Sequence, residues 1–365
     1  MKKHAWVIVT GGILGLFGVI LFQMGNPPNM GICIACFLRD ISGALGFHRA
    51  LPVQYLRPEI LGLVLGAFLI ALLTKQVKAV GGSSTFTRFF LAILAMIGML
   101  VFLGCPVRLV LRLAAGDLNA LLGLVGLVAG IAVGAQFLSY GFTLGPTSNQ
   151  NKINGYIFPV LVLLCLFLLL FKSPFLFFSK TGPGSLHAPL LISLGAGLII
   201  GILAQRSHLC MAGGIRDFIM FRDKHLLYGF LTMLAVALVG NIIFGGFKFG
   251  FANQPIAHSD GLWNFLGMTL SGICITLLGG CPLRQLIAAS EGNTDCAVTV
   301  FGFLIGAAFA HNFGMAASAK GVPFDGQAAV VIGLLVVLVI ASLNSRFSLV
   351  QKPSVRGGSS NVNRS

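Results

Sequence analysis

Charge is what this sequence has least of. Of 365 residues only 9% are charged, and Asp and Glu together number nine. A soluble domain carries about 25% charged residues, and here 56% of the chain is hydrophobic, with a mean hydropathy of +0.95. A water-soluble fold is excluded. Apolar runs long enough to cross a hydrocarbon layer roughly 30 Å thick recur along the whole length. They are not confined to the start, which excludes a signal peptide followed by a soluble enzyme. The chain also lacks a Gly-x4-Gly-Lys-Ser/Thr loop, so pumping driven directly by nucleotide hydrolysis is not supported. The net charge of +15 comes without an aromatic-interleaved basic patch, and its residues fall in loops and tail. That is positive-inside topology with a few functional arginines, and no nucleic-acid partner is expected.

What is present reads as ten spans, near 5–24, 59–74, 88–103, 119–140, 155–172, 185–204, 226–246, 262–279, 297–313 and 327–343. Four stretches between them, 30–47, 104–117, 205–223 and 280–296, are neither long apolar runs nor ordinary loops. Sliding the second half back by 177 residues sets Cys210 on Cys33, Arg216 on Arg39 and Asp217 on Asp40. Sliding it by 176 sets Gly280, Cys281, Pro282 and Arg284 on Gly104, Cys105, Pro106 and Arg108. This is a duplication. Five spans per half is an odd number, so the second half enters the membrane from the opposite face. The expected fold is an all-α polytopic membrane protein, an inverted tandem repeat with short broken or re-entrant helices. Its parts are a first repeat at 1–172, a linker at 173–184, an inverted repeat at 185–345 and a basic cytoplasmic tail at 346–365. Basic residues in the tail and at Lys75, Lys78 and Arg88 put both termini on the cytoplasmic side of a bacterial inner membrane.

Two motifs carry the chemistry. In the first, Cys33 precedes Arg39-Asp40 as Cys210 precedes Arg216-Asp217, about two helical turns apart and roughly on one face. Charge inside a membrane faces a partner or an aqueous cavity; these pairs therefore line a polar interior or lock helices together. The second motif is Gly-Cys-Pro-x-Arg. Proline suits the first turn of a helix and glycine a bend before it, so Cys105 and Cys281 become N-caps. A helix N-terminus attracts anions and favours a thiolate. The tetrad Cys33, Cys105, Cys210 and Cys281, each with an arginine nearby, suits an anion better than a metal cation, and neither metal nor cofactor is expected. Cys36 is compatible with redox pairing to Cys33, but Gly213 stands at its place in the second half. Secondary candidates are His208, Asn293 and His311; the polar groups near 293 and 311 either line a path or cap broken helices.

These motifs, with Gly279-Gly-Cys-Pro-Leu-Arg-Gln-Leu-Ile287 and Glu291-Gly-Asn-Thr-Asp295, resemble the YeeE/YedE family of sulfur-transport permeases over nearly the whole chain. Asn29-Met-Gly-Ile-Cys-Ile-Ala-Cys36, Ala204-Gln-Arg-Ser-His-Leu-Cys210 and Ala310-His-Asn312 are similar to the branch linked to selenium. The resemblance implies an hourglass-shaped protein that takes up thiosulfate, with cysteines along a narrow path handing the anion inward by S–H···S hydrogen bonds. Carried over by motif, that role falls on Cys33, Cys105, Cys210 and Cys281. Partners would be a small sulfur or selenium anion, membrane lipid and a cytoplasmic sulfur carrier of the TusA type. A competing class is a membrane thiol enzyme cycling Cys33–Cys36 between dithiol and disulfide. A non-transporting scaffold is disfavoured by polar motifs at matching positions of both halves.

Overall fold

The computed structural model describes residues 4–350, except the side chains of 346–350. Lys2, Lys3 and most of the basic tail at 346–365 lie outside the described residues, as does the side chain of Arg346. Among the described residues ten helices are long and apolar enough to cross a membrane, and helix accounts for 68% of the structure. The protein is an all-α polytopic membrane protein.

In chain order the helices are α1 (Ala5–Gln23), α2 (Ile34–Ala44), α3 (Pro58–Leu73), α4 (Thr85–Phe102), α5 (Pro106–Ala114), α6 (Asn119–Ser139) and α7 (Lys152–Leu170). The second set is α8 (Leu190–Ser207), α9 (Met211–Phe221), α10 (His225–Ile243), α11 (Gly261–Leu277), α12 (Pro282–Ser290), α13 (Thr294–Asn312) and α14 (Phe324–Val350). The ten spans read from the sequence correspond to the ten long helices. The four anomalous stretches correspond to the short helices α2, α5, α9 and α12, of nine or eleven residues each. Among the described residues the sheet is a single pair of two-residue strands, Val80–Gly81 and Ser148–Asn149.

Contacts between helices come in exchanged pairs. As α6 packs on α11, so α13 packs on α4; as α3 packs on α8, so α10 packs on α1. The long apolar helices supply no sidedness of their own, so small residues decide where backbones approach. On the α3–α8 contact Gly62 and Gly66 face Leu194 and Leu198, and Gly197 and Gly201 face Glu59 and Leu63. A Cβ on any of them would strike backbone atoms of the other helix, the close approach that small residues permit between membrane helices. The exchange fails for the last helix of each set: α7 leans on α3 and α12, whereas α14 leans on α11 and α4.

At the middle α4 crosses α11. Ser271 Oγ donates to Ala95 O at 3.1 Å, and Gly98 lies against Gly267, so the two helices run antiparallel. Loops then sort to two faces. The near face holds residue 4 and the loops at 74–84, 140–151, 222–224 and 291–293, tied by Lys78 N to Glu291 O and Ser84 N to Leu144 O. The far face holds 45–57, 115–118, 171–189, 244–260 and 313–323, tied by Lys248 N to Ala115 O and Ala317 N to Leu100 O. The linker is no free tether: Phe177 N donates to Ala44 O, and Gly184 N to Pro52 O.

Candidate functional site

Each short helix begins at a cysteine. Cys33, Cys105, Cys210 and Cys281 are the N-cap residues of α2, α5, α9 and α12, all with extended backbone. Only two of them cap through the side chain: Cys33 Sγ accepts from Cys36 N at 3.3 Å, and Cys210 Sγ from Gly213 N at 3.2 Å. In α5 and α12 the next residue, Pro106 or Pro282, has no N–H and occupies N1, as expected. The glycine of the motif does something other than bend the chain. The left-handed residues are Leu103 (φ 62°) and Gly279 (φ 86°), one position earlier. Gly104 and Gly280 make room instead: a Cβ there would lie 3.0 Å from the stems of Arg108 and Arg284. The motif is a socket that lets its arginine fold back over its own helix start.

The four cysteines form two pairs. On the far side Cys33 Sγ lies 3.9 Å from Cys105 Sγ. On the near side Cys210 Sγ accepts from the backbone N–H of Cys281 at 3.3 Å. The Gly-Cys-Pro starts do not oppose each other at one midplane. Cys105 follows the end of α4 and Cys281 the end of α11, beyond opposite ends of an antiparallel crossing. At 1.5 Å per residue the two pairs stand on the order of 20 Å apart along that axis.

The far cluster is sealed. Arg39, Asp40, Arg57, Arg108, Arg112 and Asp117 are all at most 3% exposed. Asp40 takes two bonds from Arg39, at 2.9 and 2.7 Å, and one from Arg57 Nε at 2.8 Å. Arg57 also donates to Leu186 O and Pro183 O and stacks on Phe37 at 4.6 Å. The Arg-Asp of the first motif is therefore a lock joining α2, α3 and the linker. Arg112 pairs with Asp117 at 2.7 Å, over the Phe102 ring at 4.3 Å. Arg108 Nε donates to Asn29 O at 3.1 Å and its Nη2 to Ile256 O at 3.0 Å, while Nη1 reaches Leu103 O and, at 3.5 Å, Cys36 Sγ.

The near cluster is open. Arg216 pairs with Asp217 at 2.9 Å with side chains 25% and 22% exposed. Arg284, 26% exposed, lies 3.1 Å from His208 Nδ1 and 3.5 Å from Glu291 Oε2. His208, the left-handed residue ending α8, is 57% exposed. The remaining candidates lie elsewhere. Asn293 caps α13, its side chain accepting from Cys296 N at 3.0 Å. His311 stacks on His48 at 4.7 Å on the far side, and its Nε2 has no partner among the described residues. All eight cysteines are free, and Cys33 meets Cys105 as well as Cys36.

Sequence reasoning missed Arg57, Glu59 and Asn26. Glu59, 3% exposed, accepts from Asn26 at 2.8 Å and Ser193 at 2.9 Å. A carboxylate inside the first turn of an apolar span was the available signal.

Residues 206–350, which contain the Cys210 and Cys281 motifs, match the family described as Sulphur transport. The thiosulfate transporter TsuA of Escherichia coli (strain K12) is 26% identical over 116 residues, a stretch that spans about a third (32%) of each chain. Both matches are partial: the family covers the second half of the chain, and the aligned stretch covers about a third of the length of the relative.

Proposed function

We propose that the protein is an inner-membrane permease that carries a small sulfur- or selenium-containing anion into the cytoplasm. The observation that carries this reading is the set of four helix starts, each with a cysteine at its N-cap, set in an apolar bundle. Helix N-termini present unpaired N–H groups and a positive end, and the motif arginines add formal charge. Such a place attracts an anion. Thiols are weak donors with polarisable sulfur, so they replace part of the hydration of a terminal sulfur or selenium without trapping it. A conducting path needs sites favourable enough to enter and weak enough to leave. Two thiol pairs at different depths supply successive stations of that kind.

The exchanged helix contacts support an inverted repeat, the architecture in which corresponding broken helices build a transport path. Orientation is read from charge: Lys75, Lys78, Arg88, Lys152, Arg206, Arg222 and Lys224 lie at the near face against Arg49, Lys172, Lys180, Lys248 and Lys320 at the far face, and this excess assigns the near face to the cytoplasm. The sealed Cys33–Cys105 pair is then periplasmic, and the open Cys210–Cys281 pair faces the cytoplasm, where a carrier of the TusA type would receive sulfur. The thiol-enzyme reading is weaker, because Cys33 has Cys105 as well as Cys36 beside it.

The test is uptake of labelled thiosulfate and selenite by cells making the wild type, Cys105→Ala or Cys281→Ala. Each variant is expected to lose uptake about tenfold or more, equivalent to ~1.4 kcal/mol at the limiting step. Undiminished uptake of both anions in both variants would sink the thiol path.

A further inference from the structure

The two motif arginines are neutralised in different ways. Arg284 has a carboxylate, Glu291, at 3.5 Å. The repeat register sets Ala115 opposite Glu291. Arg108 accordingly has no Asp or Glu in ion-pair range among the described residues, although its side chain is 0% exposed. Three of its contacts are carbonyl oxygens, those of Asn29, Leu103 and Ile256. Carbonyls bring dipoles and no charge. A guanidinium stays protonated under all accessible conditions, and an uncompensated ion in a membrane interior is costly.

The fourth contact is Cys36 Sγ, 3.5 Å from Arg108 Nη1. Cys36 occupies the place of Gly213. The halves have therefore made an exchange: a carboxylate without a thiol in one, a thiol without a carboxylate in the other. Other charged and titratable groups face Cys36 from both helices, namely Cys33, Arg39 and Asp40 on the α2 side, and Cys105, Arg108 and Arg112 on the α5 side. Asp40 is shared by Arg39 and Arg57, and Asp117 is taken by Arg112, so neither carboxylate is free for Arg108; of the thiols beside it, Cys36 is the one in hydrogen-bond contact with its guanidinium. It lies in the first turn of α2, where the peptide dipoles favour an anion. A protonated Cys36 would instead donate to Leu103 O at 3.9 Å, a carbonyl that already accepts from Arg108.

We propose that Cys36 is a thiolate, the resident counter-ion of Arg108, and that an anion arriving beside Arg108 is matched by a proton taken up on Cys36 Sγ. The balance involves no redox change. A proton from the periplasmic side forms the S–H bond as the anion takes over the guanidinium; when the anion moves inward, that bond breaks and the proton follows. The second statement rests on the transport reading, whereas the first stands without it.

The purified full chain tests the first part through the near-ultraviolet absorbance of thiolates at neutral pH. Cys36→Ser is expected to remove the absorbance of one thiolate. Arg108→Gln is expected to remove the same absorbance at neutral pH and to regain it in alkali. Equal absorbance in wild type and Cys36→Ser, or a thiolate that persists in Arg108→Gln, overturns the assignment. A second measurement guards against misfolding: Cys36→Asp, which keeps the charge, should melt at a higher temperature than Cys36→Ala, and the reverse order overturns the proposal. In proteoliposomes an inward proton gradient should accelerate labelled thiosulfate uptake by the wild type and leave residual uptake by Cys36→Ser unaccelerated. Equal acceleration in both overturns the proton step. Absence of thiosulfate uptake by the wild type would count against the transport reading, while the absorbance result still decides the counter-ion.

Discussion

The two thiol clusters are built from the same motifs and are not in the same condition. At the far end every charged side chain of the cluster is at most 3% exposed and fixed by short bonds; at the near end Arg216, Arg284 and His208 are 25%, 26% and 57% exposed. The repeat supplies helix starts, cysteines and arginines in duplicate, and the additions decide the rest. Arg57, Arg112 and the folded-back linker lie over one end, with Leu234 and Ala288 at the corresponding positions of the other. The duplicated motifs thus place a thiol pair at each end, and the unmatched residues close the far end and leave the near end open.

The sharpest way to break this comparison is to cut the same aspartate in both halves. Asp40→Ala leaves Arg39 and Arg57 buried without their carboxylate. Removing one member of a buried ion pair costs about 3–5 kcal/mol. Asp217→Ala removes a pair that is about a quarter exposed and screened by water, worth ~1 kcal/mol or less. Thermal unfolding in detergent should show a large fall for Asp40→Ala and a small one for Asp217→Ala. Equal falls would mean that the far-side lock is not a lock.

Much of this was legible in the sequence. The ten spans, the four interruptions and the N-caps at Cys105 and Cys281 followed from apolar run length, the repeat and the Cys-Pro step, whereas the N-caps at Cys33 and Cys210, which no proline follows, were not read. The depth of the Gly-Cys-Pro starts was not legible, because it depends on where α4 crosses α11, and that crossing is set by Gly98, Gly267 and Ser271, residues with no signature of their own. Arg57 escaped for a similar reason. An arginine before Pro58 reads as an ordinary span flank, and its partner Asp40 is reached only once α2 folds back against α3. The role of Gly104 was misread as a bend because the left-handed turn it suggests belongs to Leu103.

A subtler comparison uses that glycine. Gly104→Ala puts a Cβ 3.0 Å from the stem of Arg108, whose guanidinium is tied to three carbonyls and Cys36 and has nowhere to move. Overpacking of this sort costs about 1–3 kcal/mol. Gly280→Ala makes the same contact with Arg284, but that side chain is 26% exposed and can swing towards water. The expected result is a clear loss of melting temperature and uptake in Gly104→Ala and a slight one in Gly280→Ala. The opposite order would show that the near cluster is the rigid one.

The smallest effect is expected at the near mouth itself. Glu291→Gln removes the negative partner of Arg284 and His208, at 3.5 and 3.7 Å, while leaving a hydrogen-bonding side chain of the same shape. Arg284 is partly solvated, so its ion pair is worth at most ~1 kcal/mol and less at high salt. Stability should barely change. Uptake is the more informative readout, because freeing Arg284 from its carboxylate leaves more positive charge at the near end of the proposed path. A modest, salt-sensitive slowing of anion release is the expected outcome, measured as uptake at low and high ionic strength. If Glu291→Gln instead melts as early as Asp40→Ala, the exposed mouth is as tightly built as the sealed one, and the difference between the two ends disappears.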